Sequence, residues 1–487
     1  MRHSEPTAAS CASDMKLALL ALAAVGFCGC KDPNHDKVDG PDDTQGDGLV
    51  LEPEVLWSEI VPNVATVRFS TSEPTTCAVV YGPPGDLSLR RAASSEPSTS
   101  HEAVLVGLLP GSLAELAVEV ASEDGTLTSS VIPLKVGTLP VGAPNVELAV
   151  HDTTQAFDGF TVVPIRKGDD AWVSVFDAEA RLIWTYLTTS PVHTIALAPD
   201  GSGLYFNRIP QKDEVEEVIG EELVHIAWDG QLLWSSMVRA SHHDFVVLDD
   251  EHYAFLGYST LVIDEGLESE RTMQGDSIIE FDRDGDSSVI WNIFDHIEPD
   301  LALTTNPEPD KQGRIDWSHG NYLSLDRSQG LYYVSLRHLD AIIAVEAGTG
   351  AQRWALSNTW GDLVSSDGEP LLAWPHSAEV SPDGLHVFNQ HYDSDSDACS
   401  EAVILSLDPE AGTAEEVWSY QNAECSKVRY LGNTQVLPNG NVLVDFSQTG
   451  ILDEVTPDGT VVYRLVTSIG SEFAYAWRTA SLEPTGR

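Results

Sequence analysis

From about residue 141 onward the chain repeats one pattern of apolar and polar positions. An apolar run ends in an Asp/Gly turn, and a second run, often containing Trp, comes after it. Beyond a spacer lie two more short runs, the first opened by a polar residue. The first half recurs as residues 172–177 leading to Leu182-Ile183-Trp184, as 224–230 leading to Leu233-Trp234, and as 279–282 leading to Val289-Ile290-Trp291. Further copies run from Ile342 to Trp354, from Val403 to Trp418 and from Leu452 to Tyr463. Short apolar runs bounded by turn residues predict strands. Six copies of four strands predict an all-β, six-bladed β-propeller over residues 141–482, in which each sheet packs only on its neighbours.

The second half of each copy can be registered on its turn. His193 stands eight residues before Gly201, and His376 eight before Gly384. The fifth copy puts Gly432 at the equivalent place and the sixth puts Arg478 there, while the second and third carry His243 and His319. Equivalent strand starts approach the axis of a propeller at one level, so these groups are expected to ring one mouth. The stretches Asp316-Trp317-Ser318-His319-Gly320-Asn321 and Ser335-Leu336-Arg337-His338 add a carboxamide and a second guanidinium. Three histidines are a common zinc or copper set. Here Arg337 and Arg478 would repel a cation and no carboxylate holds a register position, so an anion is the expected ligand and no metal is expected. Guanidinium and imidazolium groups stabilise charge on sulfuryl or phosphoryl oxygens while a neutral imidazole attacks the central atom.

Residues 49–140 have a different rhythm. Runs such as Ala65-Thr66-Val67-Arg68-Phe69, Cys77-Ala78-Val79-Val80-Tyr81 and Leu116-Ala117-Val118-Glu119-Val120 alternate between turn clusters, which predicts a small β-sandwich. With Leu108-Leu109-Pro110-Gly111-Ser112 leading into an alternating strand, the segment resembles a fibronectin type III domain. It carries no cluster of His, Asp or Arg and is expected to be a spacer or packing module.

Composition changes the picture in two ways. Lys+Arg number 26 against 76 Asp+Glu, a formal charge of −50, spread along the chain. Such a surface repels nucleic acid and anionic membranes, so an anionic substrate needs the few arginines near the site. The N-terminus reads as an export signal: Met15-Lys16, the expected start, precedes an apolar run from Leu17 to Phe27, too short for a membrane span, and then Cys28-Gly29-Cys30. Over residues 1–30 this is the pattern of a lipoprotein signal with Cys30 acylated, and residues 31–48 are expected to be a disordered tether. The protein is then extracytoplasmic, lipid-anchored in a bacterial envelope, either periplasmic or at the cell surface. With Cys30 acylated and Cys77 alone in another domain, Cys399 and Cys425 are left as a disulfide pair or as free buried thiols; the pair is expected.

Residues 141–482 resemble the bacterial arylsulfate sulfotransferase family. Asp316-Trp317-x-His319-x-Asn321 with Leu336-Arg337-His338, Arg337 falling sixteen after Asn321, is similar to its central motif, and His242-His243-Asp244 to an upstream one. The resemblance implies a ping-pong enzyme, without nucleotide donor or other cofactor, that moves a sulfuryl group from a phenolic sulfate ester to a phenol acceptor. It implies that His376 becomes transiently sulfated, and that His243, His319, Asn321 and Arg337 hold the sulfuryl oxygens. It also implies a disulfide near the site. His193 and Arg478 join the substrate-binding set by register alone. The insertion over residues 293–313, rich in Asp, Glu and Pro, is a candidate lid. The alternative from another class is a surface-anchored binding propeller without catalysis, since one fold hosts many functions.

Overall fold

The computed structural model describes residues 52–482 apart from 95, 123–124, 169, 189, 211–219, 264–270, 392–396 and 469. The export signal, Met15, Cys30 and the tether lie outside the described residues. Within them the chain is all-β, with three single-turn 3₁₀ segments as its only helical elements.

The segment up to residue 140 forms two antiparallel sheets. One holds Glu54–Trp57, Ala65–Thr75 and Ser98–Leu105; the other is built on Cys77–Gly82 and Leu113–Ser122. Their alternate residues bury a common core that includes Val67, Phe69, Leu105, Val79, Tyr81, Leu116 and Val118. This region is anchored to the repeats. Val61, Val64 and Val106 share a core with Val162, Val173, Ile183 and Trp184, and Asn63 Nδ2 donates to the carbonyls of Leu108 at 3.0 Å and Ile183 at 2.5 Å.

From Val146 on, the described residues form six sheets, antiparallel except where the short strands Arg314–Asp316 and Val364–Ser365 pair parallel at an edge. The second to fifth each begin a new run of four consecutive strands, opened by Val192–Leu197, Ser241–Val247, Gly320–Asp326 and Pro375–Ser381. The first and sixth are composite. Phe160–Lys167 of the first sheet takes its neighbours Ser471–Phe473 and Trp477–Thr479 from the C-terminal end, and Val461–Thr467 of the sixth pairs with Val146–His151 from the start of the region. The sequence copies are therefore out of phase with the sheets: each copy pairs the last two strands of one sheet with the first two of the next.

Successive opening strands touch, with Ser324 Oγ bonded to the Ala378 carbonyl and Asn321 Nδ2 to the Pro375 carbonyl at 3.1 Å. Asp244 joins three sheets: its carboxylate accepts Thr194 Oγ1 at 2.6 Å, its neighbour's Phe245 N–H at 2.9 Å and Leu323 N–H at 3.0 Å. The insertion over 293–313 packs Ile297, Leu301 and Leu303 on a buried core. Thr304 Oγ1 donates to the Trp317 carbonyl at 2.8 Å, and Thr305 N–H to the His338 carbonyl at 2.7 Å. It buttresses the Asp316–His319 loop from outside. Cys399 and Cys425 form a disulfide, and Cys77 is a buried free thiol.

Candidate active site

Each of the four opening strands breaks its ladder at the level of its histidine. Pairing shifts between Val192 and Ile195, Ser241 and Phe245, Gly320 and Tyr322, and His376 and Ala378. A bulge of this kind kinks the strand and re-aims a side chain. His243 and His319 take positive φ of 60° and 50°, and Ser377, next to His376, takes 59°. Non-glycine residues adopt that region only where the surroundings over-determine it. The result is that His193, His243, His319 and His376 line one cavity of about 250 Å³ together with Arg337. That volume suits a one-ring compound, being below the ~300–1,000 Å³ of drug-sized sites. The remaining wall is largely apolar, with Pro191, Tyr430, Leu431 and Phe473.

Three of the imidazoles form a contiguous set. The His193 and His243 rings stack at 5.6 Å, and His319 meets His243 edge-on at 5.3 Å. Each has a carboxylate or polar partner behind it. Glu221 Oε1 stands 3.3 Å from His193 Nδ1 and also accepts the His243 backbone N–H at 3.0 Å. Burial opposes protonation of His193, but Glu221, by charge and hydrogen bond, outweighs it and raises the imidazole pKa above 6.5. Asp316 Oδ2 lies 2.6 Å from His319 Nδ1, as an orienting carboxylate should. His376 is different. Burial, then the charges of Arg337 and His319, hold its pKa well below 6.5, so its ring is neutral with a free lone pair at ordinary pH.

Arg337 caps its strand in a 3₁₀ turn, its N–H bonded to the His319 carbonyl at 3.1 Å. Its guanidinium lies 4.1 Å over the Trp374 ring and donates from Nη2 to the Arg429 carbonyl at 2.9 Å. Two expected members stand elsewhere. Asn321 is fully buried and does not line the cavity: its Oδ1 accepts Ser335 Oγ and its Nδ2 holds the Pro375 carbonyl, so it positions the strand of His376. Arg478 is not brought to the cavity at all. Its guanidinium is fully buried, paired with Glu454, 4.3 Å over Tyr463 and bonded to the Phe157 carbonyl at 2.7 Å. In a strand, neighbouring residues face opposite ways, and the sixth histidine-level group proves to be Tyr475. Its hydroxyl lies 3.3 Å from His376 Nε2 and donates to the Asn321 carbonyl at 2.6 Å. Gly432, at the fifth register position, bonds the His376 ring through its backbone; a Cβ there would strike the Phe388 ring at 2.4 Å.

Asp316, His319 and His338 bring possible ligand atoms within 4.8 Å of one another. Internal bonds already engage them: His319 Nδ1 to Asp316 Oδ2, and His338 Nδ1 to the Asp316 carbonyl at 2.7 Å. No residue of the 293–313 insertion lines the histidine cavity, so it is not placed as a lid; it borders a separate polar pocket with Gln274, Arg314 and Asp316.

The model of the arylsulfotransferase (ASST) family matches residues 150–472, and the chain belongs to that family. Membership implies aryl sulfotransferase activity, with small-molecule aryl sulfate and phenol substrates. Comparison with curated protein sequences gives no match. Among solved structures, the Pseudomonas aeruginosa periplasmic gluconolactonase PpgL is 14% identical, covering 66% of this chain and 99% of its own, with a TM-score of 0.40. A Bacteroides caccae protein of unknown function is 14% identical, covering 64% and 94%, at 0.36. An inactive virginiamycin B lyase from Staphylococcus aureus, in complex with quinupristin, is 8% identical, covering 68% and 99%, also at 0.36. At these scores they are loose likenesses only.

Proposed function

We propose that the six sheets are the blades of one propeller, preceded by a fibronectin III-like sandwich, and that the histidine cavity transfers a sulfuryl group between phenols through a sulfohistidine on His376. The observation that carries this reading is the gathering of four imidazoles and Arg337 in one small cavity with an apolar rim. The rim receives the aryl ring. Arg337, His193 and His319 receive the sulfuryl oxygens, whose charge they stabilise as the S–O bond opens.

In the first half-reaction the neutral His376 ring forms an N–S bond while the ester S–O bond breaks and its electron pair goes to the phenol oxygen. In the second, an acceptor phenol oxygen takes the sulfur from the ring. No nucleotide donor, cofactor or metal enters this cycle. Asn321 and Tyr475 act by holding the strand and ring of His376. From the sequence of residues 1–48 we further propose export and anchoring by a lipid on Cys30.

The test is nitrophenol release from 4-nitrophenyl sulfate by the purified protein, with and without added phenol. Phenol-dependent release that disappears in His376→Ala supports transfer through that residue. Release without phenol would make the protein a sulfatase, and none across several donors would return the binding propeller.

A further inference from the structure

The transfer chemistry leaves unexplained a line of ionisable groups that runs from the interior to the cavity wall. Asp276 Oδ1 lies 3.0 Å from His242 Nε2, and His242 Nδ1 lies 2.9 Å from His243 Nδ1. Asp276 and His242 are buried, 1% and 4% exposed, while His243 lines the cavity. Neither is loosely held. The Tyr258 ring stacks on His242 at 3.9 Å, and Asp276 Oδ2 accepts the Ser318 hydroxyl at 2.5 Å and the Gly320 N–H at 2.6 Å. Asp276 Oδ2 thus accepts two hydrogen bonds, while Oδ1 stands at ion-pair distance from His242 Nε2, a buried nitrogen with no other partner. With Nδ1 of His243 turned to His242, Nε2 is the ring nitrogen left for the cavity.

We propose that Asp276 and His242 form a proton relay that lets His243 Nε2 protonate the leaving phenol oxygen in one half-reaction and deprotonate the acceptor phenol in the other. This rests on the reading of the cavity as a sulfuryl-transfer site. Before transfer the two imidazoles carry three protons: on His242 Nε2 facing Asp276, between the two Nδ1 atoms and on His243 Nε2. The positive charge sits on His242, next to the carboxylate. As the S–O bond breaks, the Nε2 proton of His243 goes to the phenol oxygen, and the shared proton moves from His242 Nδ1 to His243 Nδ1. Both rings are then neutral and Nε2 of His243 is a bare base, ready for the proton of the acceptor hydroxyl. The second half-reaction reverses each shift, so no proton need cross to solvent. Burial, and after it the charges of His242 and the other cavity histidines, hold the His243 pKa well below 6.5, which keeps the extra charge off that ring.

The test compares donors that differ in their need for a proton. Nitrophenolate leaves unaided; unsubstituted phenolate does not. Donor kcat/KM is measured for the full chain and for His242→Gln with 4-nitrophenyl sulfate and with phenyl sulfate. The relay predicts a loss of about 100-fold on phenyl sulfate, in the range of lost general acid catalysis, and of only a few fold on 4-nitrophenyl sulfate. Equal losses on both donors would make His242 a purely structural support and overturn the relay alone. Turnover of neither donor by the unaltered protein would overturn the transfer reading and the relay with it. Should His242→Gln fail to fold, Asp276→Asn, which keeps an oxygen for the Gly320 N–H, carries the same comparison.

Discussion

The Tyr475 hydroxyl lies 3.3 Å from Nε2 of His376, from a segment 99 residues further along the chain, and donates to the Asn321 carbonyl at 2.6 Å. It ties the His376 ring to the strand beside it. Tyr475→Phe is expected to cost about 1 kcal/mol of stability for the lost buried hydrogen bond. It should lower kcat about tenfold or more, with donor KM little changed, because ring placement matters more in the transition state than in binding. Steady-state kinetics and denaturant unfolding measure the two effects.

Arg337 acts on the His376 ring, and in the proposed transfer on substrate as well. Its charge is, after burial, the largest cause of the depressed His376 pKa. Donor kcat/KM of the unaltered protein should stay level as pH falls through 6.5, since His376, the proposed nucleophile, is still neutral there. Removing a cation that depresses a pKa raises it, so Arg337→Met is expected to move the acid limb to higher pH. It should also lower kcat/KM by roughly 100- to 1,000-fold through loss of oxyanion stabilisation. A pH–rate profile of both proteins shows both.

Glu221 and His193 link the site to stability. The His193 pKa is raised, so its contribution is complete below 6.5 and fades as pH rises through the higher folded value. The Glu221 pKa is lowered: burial opposes this, but His193 outweighs it, and its contribution is complete above 4.5 and fades as pH falls through the lower folded value. The pair therefore stabilises most between 4.5 and 6.5. The Tm deficit of Glu221→Gln should be larger at about pH 5.5 than at about pH 9, read by thermal unfolding at each.

Arg478 is a structural cation. Arg478→Ala leaves Glu454 as an uncompensated buried carboxylate, which costs about 3–5 kcal/mol. Donor KM of the folded fraction should be unchanged. A selective rise in KM at intact stability would instead return Arg478 to the substrate site.

The count to the turn singled out His193 and His376, because a repeated strand–turn unit carries its landmarks close by in sequence, while His243 and His319 were legible from their copies and from the motifs around them. The carboxylates behind them were not legible. Glu221 stands among Glu216, Glu217 and Glu222 in a chain with 76 acidic residues, where one more carboxylate carries no signal. Asp276 reaches His242 and the Ser318–Gly320 loop only through sheet pairing. Arg478 was misplaced for a related reason. The last strands leave the sixth sheet and pair with Phe160–Lys167, so the spacing to a turn no longer fixes which way a side chain faces, and a shift along a strand changes the face.

Transfer through His376 is tested most directly by mixing the protein with an aryl sulfate donor in the absence of any phenol acceptor and mapping the modified peptide by mass spectrometry. The expected result is one sulfuryl group on the peptide bearing His376, discharged when phenol is added. An active protein that never carries the group there, or carries it on another residue, would contradict that transfer.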